Sequence, residues 1–97
     1  MKNQQILVQL NSQGKGKLKL VIDNNEVGLM DISVQNNLLT VYHTEVHKEF
    51  EGQGYGKKLF DTLIEYAQTS NLKVKPLCTF VMAMFKKNKE NLATLLA

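Results

Sequence analysis

The hydrophobic period of this chain first changes at a glycine-rich stretch. In the first half apolar residues recur at every second position, as at Ile6, Val8 and Leu10 and again at Leu18, Leu20 and Ile22. That is the period of half-buried strands. After "FEGQGYGKK" (residues 50–58), Leu59, Phe60, Leu63, Ile64 and Ala67 fall on one face of an amphipathic helix. A chain with these two periods in this order lays a helix over a sheet.

Turn chemistry divides the first half further. "NSQGKGK" (residues 11–17) is a flexible turn. "DNNE" (residues 23–26) and "QNN" (residues 35–37) are tight turns, since Asn tolerates the left-handed backbone that hairpins demand. Between them "VGLMDISV" (residues 27–34) and "LLTVYHTEV" (residues 38–46) read as strands. The helix is expected from near Gly54 to Ser70 or Asn71. "LKVKPL" (residues 72–77) alternates again, and Pro76 marks an edge strand, a bulge or a strand end. "TFVMAMFKK" (residues 79–87) reads as a short helix with Thr79 as its N-cap. The tail from residue 88 reads as helical and weakly anchored. The expected fold is therefore α/β: one mixed, mostly antiparallel sheet with one β-α-β crossover, in the order β-β-β-β-α-β-α. At 97 residues it makes a single domain, residues 1–97.

Composition excludes several classes. No apolar run approaches the roughly 20 residues of a membrane span, and the first ten residues lack the small-residue cleavage site of a signal peptide. Cys78 is the only cysteine, so no internal disulfide forms, and a cytoplasmic protein is expected. A net charge of +3 is far below the dense basic footprint of a nucleic-acid binder, yet suits a small anion. Nothing demands an oligomer, and the reading leans to a monomer.

Gly52, Gly54 and Gly56 stand at the entrance of the helix, followed by Lys57 and Lys58. A helix N-terminus offers free N–H groups and positive potential. Glycines remove side chains that would block a phosphate. Lysine in a first turn is disfavoured by about 0.3–1 kcal/mol, which makes sense if an anion sits beside it. Two familiar phosphate loops do not fit. The P-loop needs Gly where Glu51 stands and Ser or Thr where Lys58 stands. The dinucleotide motif would place its last glycine at Lys57 or Leu59. A plain glycine-rich turn with solvated lysines is the bland alternative.

"HTEVHKEFEGQGYGKKLFDTLIEYAQTSNLKVKPLCTF" (residues 43–80) resembles the GNAT superfamily of acetyl-CoA-dependent N-acetyltransferases, and more narrowly its small YjdJ-type subfamily. Several features carry the likeness jointly: "HTEV" at a strand end, an acidic residue and an aromatic, G-x-G-x-G, an amphipathic helix, "LKV", and "CTF" after a short strand. The superfamily's cofactor motif, Gln/Arg-x-x-Gly-x-Gly/Ala, falls on Glu51, Gly54 and Gly56, with Glu51 departing from the usual basic or amide residue. The resemblance implies that Gln53, Gly54, Tyr55, Gly56, Lys57 and Lys58 wrap the pyrophosphate of coenzyme A, with Glu51 turned away or paired with Lys48 or Lys57. It implies that the pantetheine arm lies where the "HTEV" strand parts from its parallel neighbour, against the backbone of Thr44, Glu45 and Val46. The helices that usually follow the first strand and shape the acceptor pocket have no counterpart here, so the amine acceptor is not inherited.

Acetyl transfer needs a deprotonated amine and a protonated leaving thiolate, or a nucleophile that takes the acyl group first. Cys78 precedes a helix, where a thiolate faces the positive end of the dipole. His43 lies on the neighbouring strand, and the two are expected to meet as acid, base or acyl-accepting groups. The subfamily carries Cys and His at the same positions. Against this, a lone cysteine is often a small core hydrophobe. Zinc is rejected: on a strand His43 and His47 stand about 13 Å apart, beyond one ion's reach. His47 reads as a surface loop residue, Met82, Met84 and Phe85 as core packing, and "KKNKE" (residues 86–90) as a solvated face. The leading expectation is an N-acetyltransferase moving acetyl from acetyl-CoA to an unidentified amine. The alternatives are a non-catalytic acyl-CoA-binding module and a small interaction protein.

Overall fold

The computed structural model describes residues 3–97. Four strands, β1 (Gln4–Leu10), β2 (Lys15–Ile22), β3 (Asn25–Gln35) and β4 (Leu38–Val46), form the expected antiparallel meander. A single 3-10 turn (Lys48–Phe50) leads to α1 (Tyr55–Thr69), which crosses over to β5 (Lys73–Pro76), parallel to β4. Then come α2 (Thr79–Lys87) and a one-turn helix α3 (Lys89–Leu92). The sheet runs in sequence order, β1-β2-β3-β4-β5.

Local chemistry explains the turns. The β2–β3 and β3–β4 links are two residues each, Asp23-Asn24 and Asn36-Asn37, and all four have positive φ. That is the backbone whose twist matches paired strands. Asn71, also at positive φ, ends α1, and the Leu72 amide reaches back to the Ala67 carbonyl at 2.8 Å.

One face of the sheet holds the core. Leu18, Met30 and Thr44 stand in register across β2, β3 and β4, and the first two are fully buried. Helix α1 covers this face with Leu59, Phe60, Leu63, Ile64 and Ala67, the positions its periodicity names. Leu59 presses on β3, where a Cβ on Gly28 would stand 2.8 Å from its Cδ1. Phe60 meets Phe85 of α2 edge-to-face, ring centres 5.5 Å apart. The adjacent row, Lys17, Asp31 and His43, lies on the opposite, open face.

Three readings need correction. The N-cap of α2 is Cys78, with Thr79 as its first helical residue. Of Met82, Met84 and Phe85, Phe85 is buried and Met84 packs partly buried against the core, while Met82 is exposed. The tail is anchored: the Val74 amide bonds the Leu95 carbonyl and the Ala97 amide bonds the Val74 carbonyl, each at 2.8 Å, so Leu96 bridges the outer side of β5. Among the described residues no helix is long and apolar enough to cross a membrane.

Candidate functional site

Strands β4 and β5 part beyond Val41, and two irregularities mark the place. In β4, Asp31 faces His43 and Ile32 faces Val41, which leaves Tyr42 as a bulge residue. A bulge bends its strand. In β5, pairing stops at Pro76 opposite Val41. Beyond it the Val41 carbonyl accepts the amides of both Leu77 and Cys78, each at 3.0 Å, and the chain turns into α2. Of the alternatives open for Pro76, two are realised together: it is the end of β5, and β5 is an edge strand of the sheet. Thr44, Glu45 and Val46 pair with β3 on one side only, facing Met30, Leu29 and Gly28.

The glycine loop is fixed at both ends. Phe50 is half-buried and meets the buried Tyr55 edge-to-face at 6.2 Å. The His47 amide bonds the Val27 carbonyl at 2.9 Å. Its ring sits 2.6 Å from Glu26 and 3.4 Å from Glu45, so it ties the loop's start to β3 and β4. The sequence reads His47 as a surface-loop residue, and its spacing carries no sign of this clamp. The clamp holds the Glu26 carboxyl below its ordinary value of 4.5, chiefly through the His47 hydrogen bond, with Lys19 adding to it. A carboxyl lowered on folding contributes stability above its ordinary value and loses it as pH falls through that range. Acid titration of unfolding is therefore expected to be flatter for Glu26→Gln than for wild type below about pH 4.5, by under about 1 kcal/mol.

Gly54 is the N-cap of α1 with φ +82°, and an added Cβ would meet nothing within 4 Å. Its backbone needs glycine, and the space above it is open. The Lys58 amide closes a bond on the Gly54 carbonyl at 3.3 Å. No backbone bond among the described residues takes up the amides of Gly56 and Lys57. No side chain caps this end, and its first turn holds no acidic residue. The leading end of α1 thus presents donors and positive potential to open space. Gly56 has another reason: a Cβ there would stand 3.3 Å from Phe80, so its bareness admits the α2 ring.

The lysines and Glu51 lie on the outside of the loop. Lys57 pairs with Asp61 one turn along, at 3.0 Å, with both side chains well exposed. Glu51 is exposed and no ion pair joins it to Lys48 or Lys57. Gln53 and Lys58 are exposed beside the loop.

Cys78 is buried at the N-cap of α2, and its Sγ lies 3.4 Å from Thr44 Oγ1. His43 does not join them. It projects from the open face, its Nε2 3.5 Å from Glu45. Strand alternation puts His43 and Thr44 on opposite sides of β4. The thiol therefore meets a threonine, and the imidazole stands across the strand. The described residues include no group of three or more His, Cys, Asp or Glu placed to hold a metal.

The family model for GCN5-related N-acetyltransferases matches residues 17–95. No match is found among the curated proteins. A solution structure from Staphylococcus aureus, described as GCN5-like, is similar at 33% identity and a TM-score of 0.63, over 89% of this chain and 81% of that one. The ribosomal-protein-alanine N-acetyltransferase of Brucella melitensis biovar Abortus 2308 shares 20% identity and a TM-score of 0.61, over 89% of this chain and 64% of that one. The ribosomal-protein-S18-alanine N-acetyltransferase of Escherichia coli shares 15% and 0.60, over 68% of this chain. The chain spans 43% of the Escherichia coli enzyme's length. At those two identities the likeness concerns the fold alone. The family match runs from β2 through α3, across both the parted strands and the glycine loop, and the chain belongs to the GCN5-related N-acetyltransferase family.

Proposed function

We propose that the chain binds acetyl-CoA and transfers its acetyl group to an amine. The observation that carries this is the leading end of α1: glycine-bent, uncapped by side chains and facing open space. That end fits a diphosphate. Gln53, Gly54, Tyr55, Gly56, Lys57 and Lys58 would hold it, while the free side of Thr44, Glu45 and Val46 would pair with the pantetheine amides. Bound there, acetyl-CoA would supply an activated acetyl group.

The chain's own groups divide the proton work across β4. His43, exposed on the open face, would take a proton from an amine arriving on that side. Cys78, on the helix side, lies beside Thr44 where the strands part and would donate to the leaving thiolate. Tyr42 and Leu77, 49% and 55% exposed, flank the gap and offer an acceptor an apolar border. The two catalytic candidates thus need not touch.

Turnover with a panel of amines tests this reading: His43→Ala and Cys78→Ala should each lose rate while binding persists. If a productive amine is found and both variants keep full rate, the assignment fails. One observation favours a second reading, a non-catalytic acyl-CoA-binding module: β1 reaches β2 through a short turn, with no helix between them to wall an acceptor site. Binding without turnover on any amine would favour that module.

Gly54→Val should lower coenzyme A affinity at least tenfold, about 1.4 kcal/mol, because valine resists positive φ. Gly54→Asn is the sharper control. Asn accepts the left-handed backbone, so stability should hold while its side chain enters the space before the amides. Calorimetric titration beside thermal melts separates the two effects.

A further inference from the structure

The two edges of the sheet are treated differently. The outer side of β5 is taken by the C-terminal segment around Leu96. Among the described residues no strand pairs with the outer side of β1. Exposed edges are usually blunted by charge, proline or a bulge. Strand β1, "QQILVQL", has no charge, proline or glycine, and its register with β2 is unbroken from Gln4 to Leu10. Leu7 and Leu10 are 41% and 38% exposed.

The backbone of β1 is also disposed for symmetric pairing. The Asp23 amide bonds the Asn3 carbonyl at 2.9 Å, and the Asn11 amide bonds the Lys15 carbonyl at 2.8 Å. Odd-numbered residues thus turn their backbone groups toward β2. By strand alternation Gln4, Ile6, Val8 and Leu10 turn theirs outward. An antiparallel copy centred on Leu7 sets Ile6 against Val8, Gln5 against Gln9 and Gln4 against Leu10. The outward residues then fall in hydrogen-bonded positions, and the two Leu7 side chains meet at a close, non-bonded position. Each pairing recurs with the two copies exchanged, as an isologous interface requires. Ile6 and Val8 pair with Leu20 and Leu18, so their row extends the core across the two-fold axis.

We propose that two copies of the chain join through antiparallel pairing of β1 about Leu7, fusing two five-stranded sheets into one. The coupling lies at the edge opposite the β4–β5 gap, so both gaps stay open. Seven residues a side make a small interface, so association is reversible and concentration-dependent.

Sedimentation of the full chain from low micromolar to near-millimolar concentration tests this. The mass should rise from 11.0 kDa toward twice that value. Leu7→Lys, which sets two ammonium groups face to face, should weaken association at least tenfold. Val8→Pro removes an outward donor but no bond to β2 and should do the same, with circular dichroism confirming the fold. Hydrogen exchange gives a readout without mutation: the Ile6 and Val8 amides should gain protection as the dimer fills. A wild type monomeric at the highest concentration overturns the proposal, whether or not a foreign peptide later adds to this edge. So does a dimer that folded variants leave intact, or one in which those amides exchange freely.

Discussion

Replacing Phe60 with alanine is expected to lower the free energy of unfolding by about 3–5 kcal/mol. Phe60 is 2% exposed and joins the two helices through its edge-to-face contact with Phe85. The loss has two parts, the transfer of the ring and the cavity left between α1, α2 and the sheet. A domain of this size has only about 5–15 kcal/mol in total. The midpoint of thermal unfolding should fall on the order of 12 °C or more. Phe60→Leu keeps most of the volume and should cost much less. Melts of the two variants against wild type check this; a fall below about 1 kcal/mol for the alanine would mean that the helices do not share this core.

Cys78→Ala is expected to cut turnover on the order of 100-fold, the lower end of what a positioned proton donor supplies. Affinity for coenzyme A should stay within about threefold, because the thiol is held by Thr44 and not by the glycine loop. The expectation follows from placement. The thiol is buried at the first turn of α2, at the point where β5 leaves β4. Cys78→Ser keeps a hydroxyl donor to Thr44 and should fold as well as wild type, which separates packing from chemistry. An acetyl mass increase on the wild-type peptide holding Cys78 would show the thiol acting as nucleophile. Full rate in both variants would reduce Cys78 to a packed core residue.

Much of the fold was legible because local chemistry and tertiary demand agree. The Asp23-Asn24 and Asn36-Asn37 turns adopt the positive φ that their residues tolerate. The buried face of α1 follows from its period. Pro76 ends β5 because it can donate no further ladder bond. What escaped the sequence depends on contacts made across the chain. The bulge at Tyr42 is a matter of register, which no strand encodes alone. Gly56 reads as phosphate room until Phe80 is seen against it. The bridge of Leu96 to β5 joins segments that share no local signal. His47 finds Glu26 from 21 residues away. The expected meeting of Cys78 and His43 overlooked strand alternation, since the neighbour of His43 in sequence, Thr44, is the one that faces the thiol.

The proposed activity depends on the leading end of α1 holding a diphosphate. An amide-resolved titration of the labelled chain with coenzyme A addresses it most directly. Shifts should concentrate at residues 53–58, with a second set at residues 44–46 along the free side of β4, and Gly54→Val should suppress both. Flat spectra in these segments at saturating ligand, with the fold intact, would contradict it.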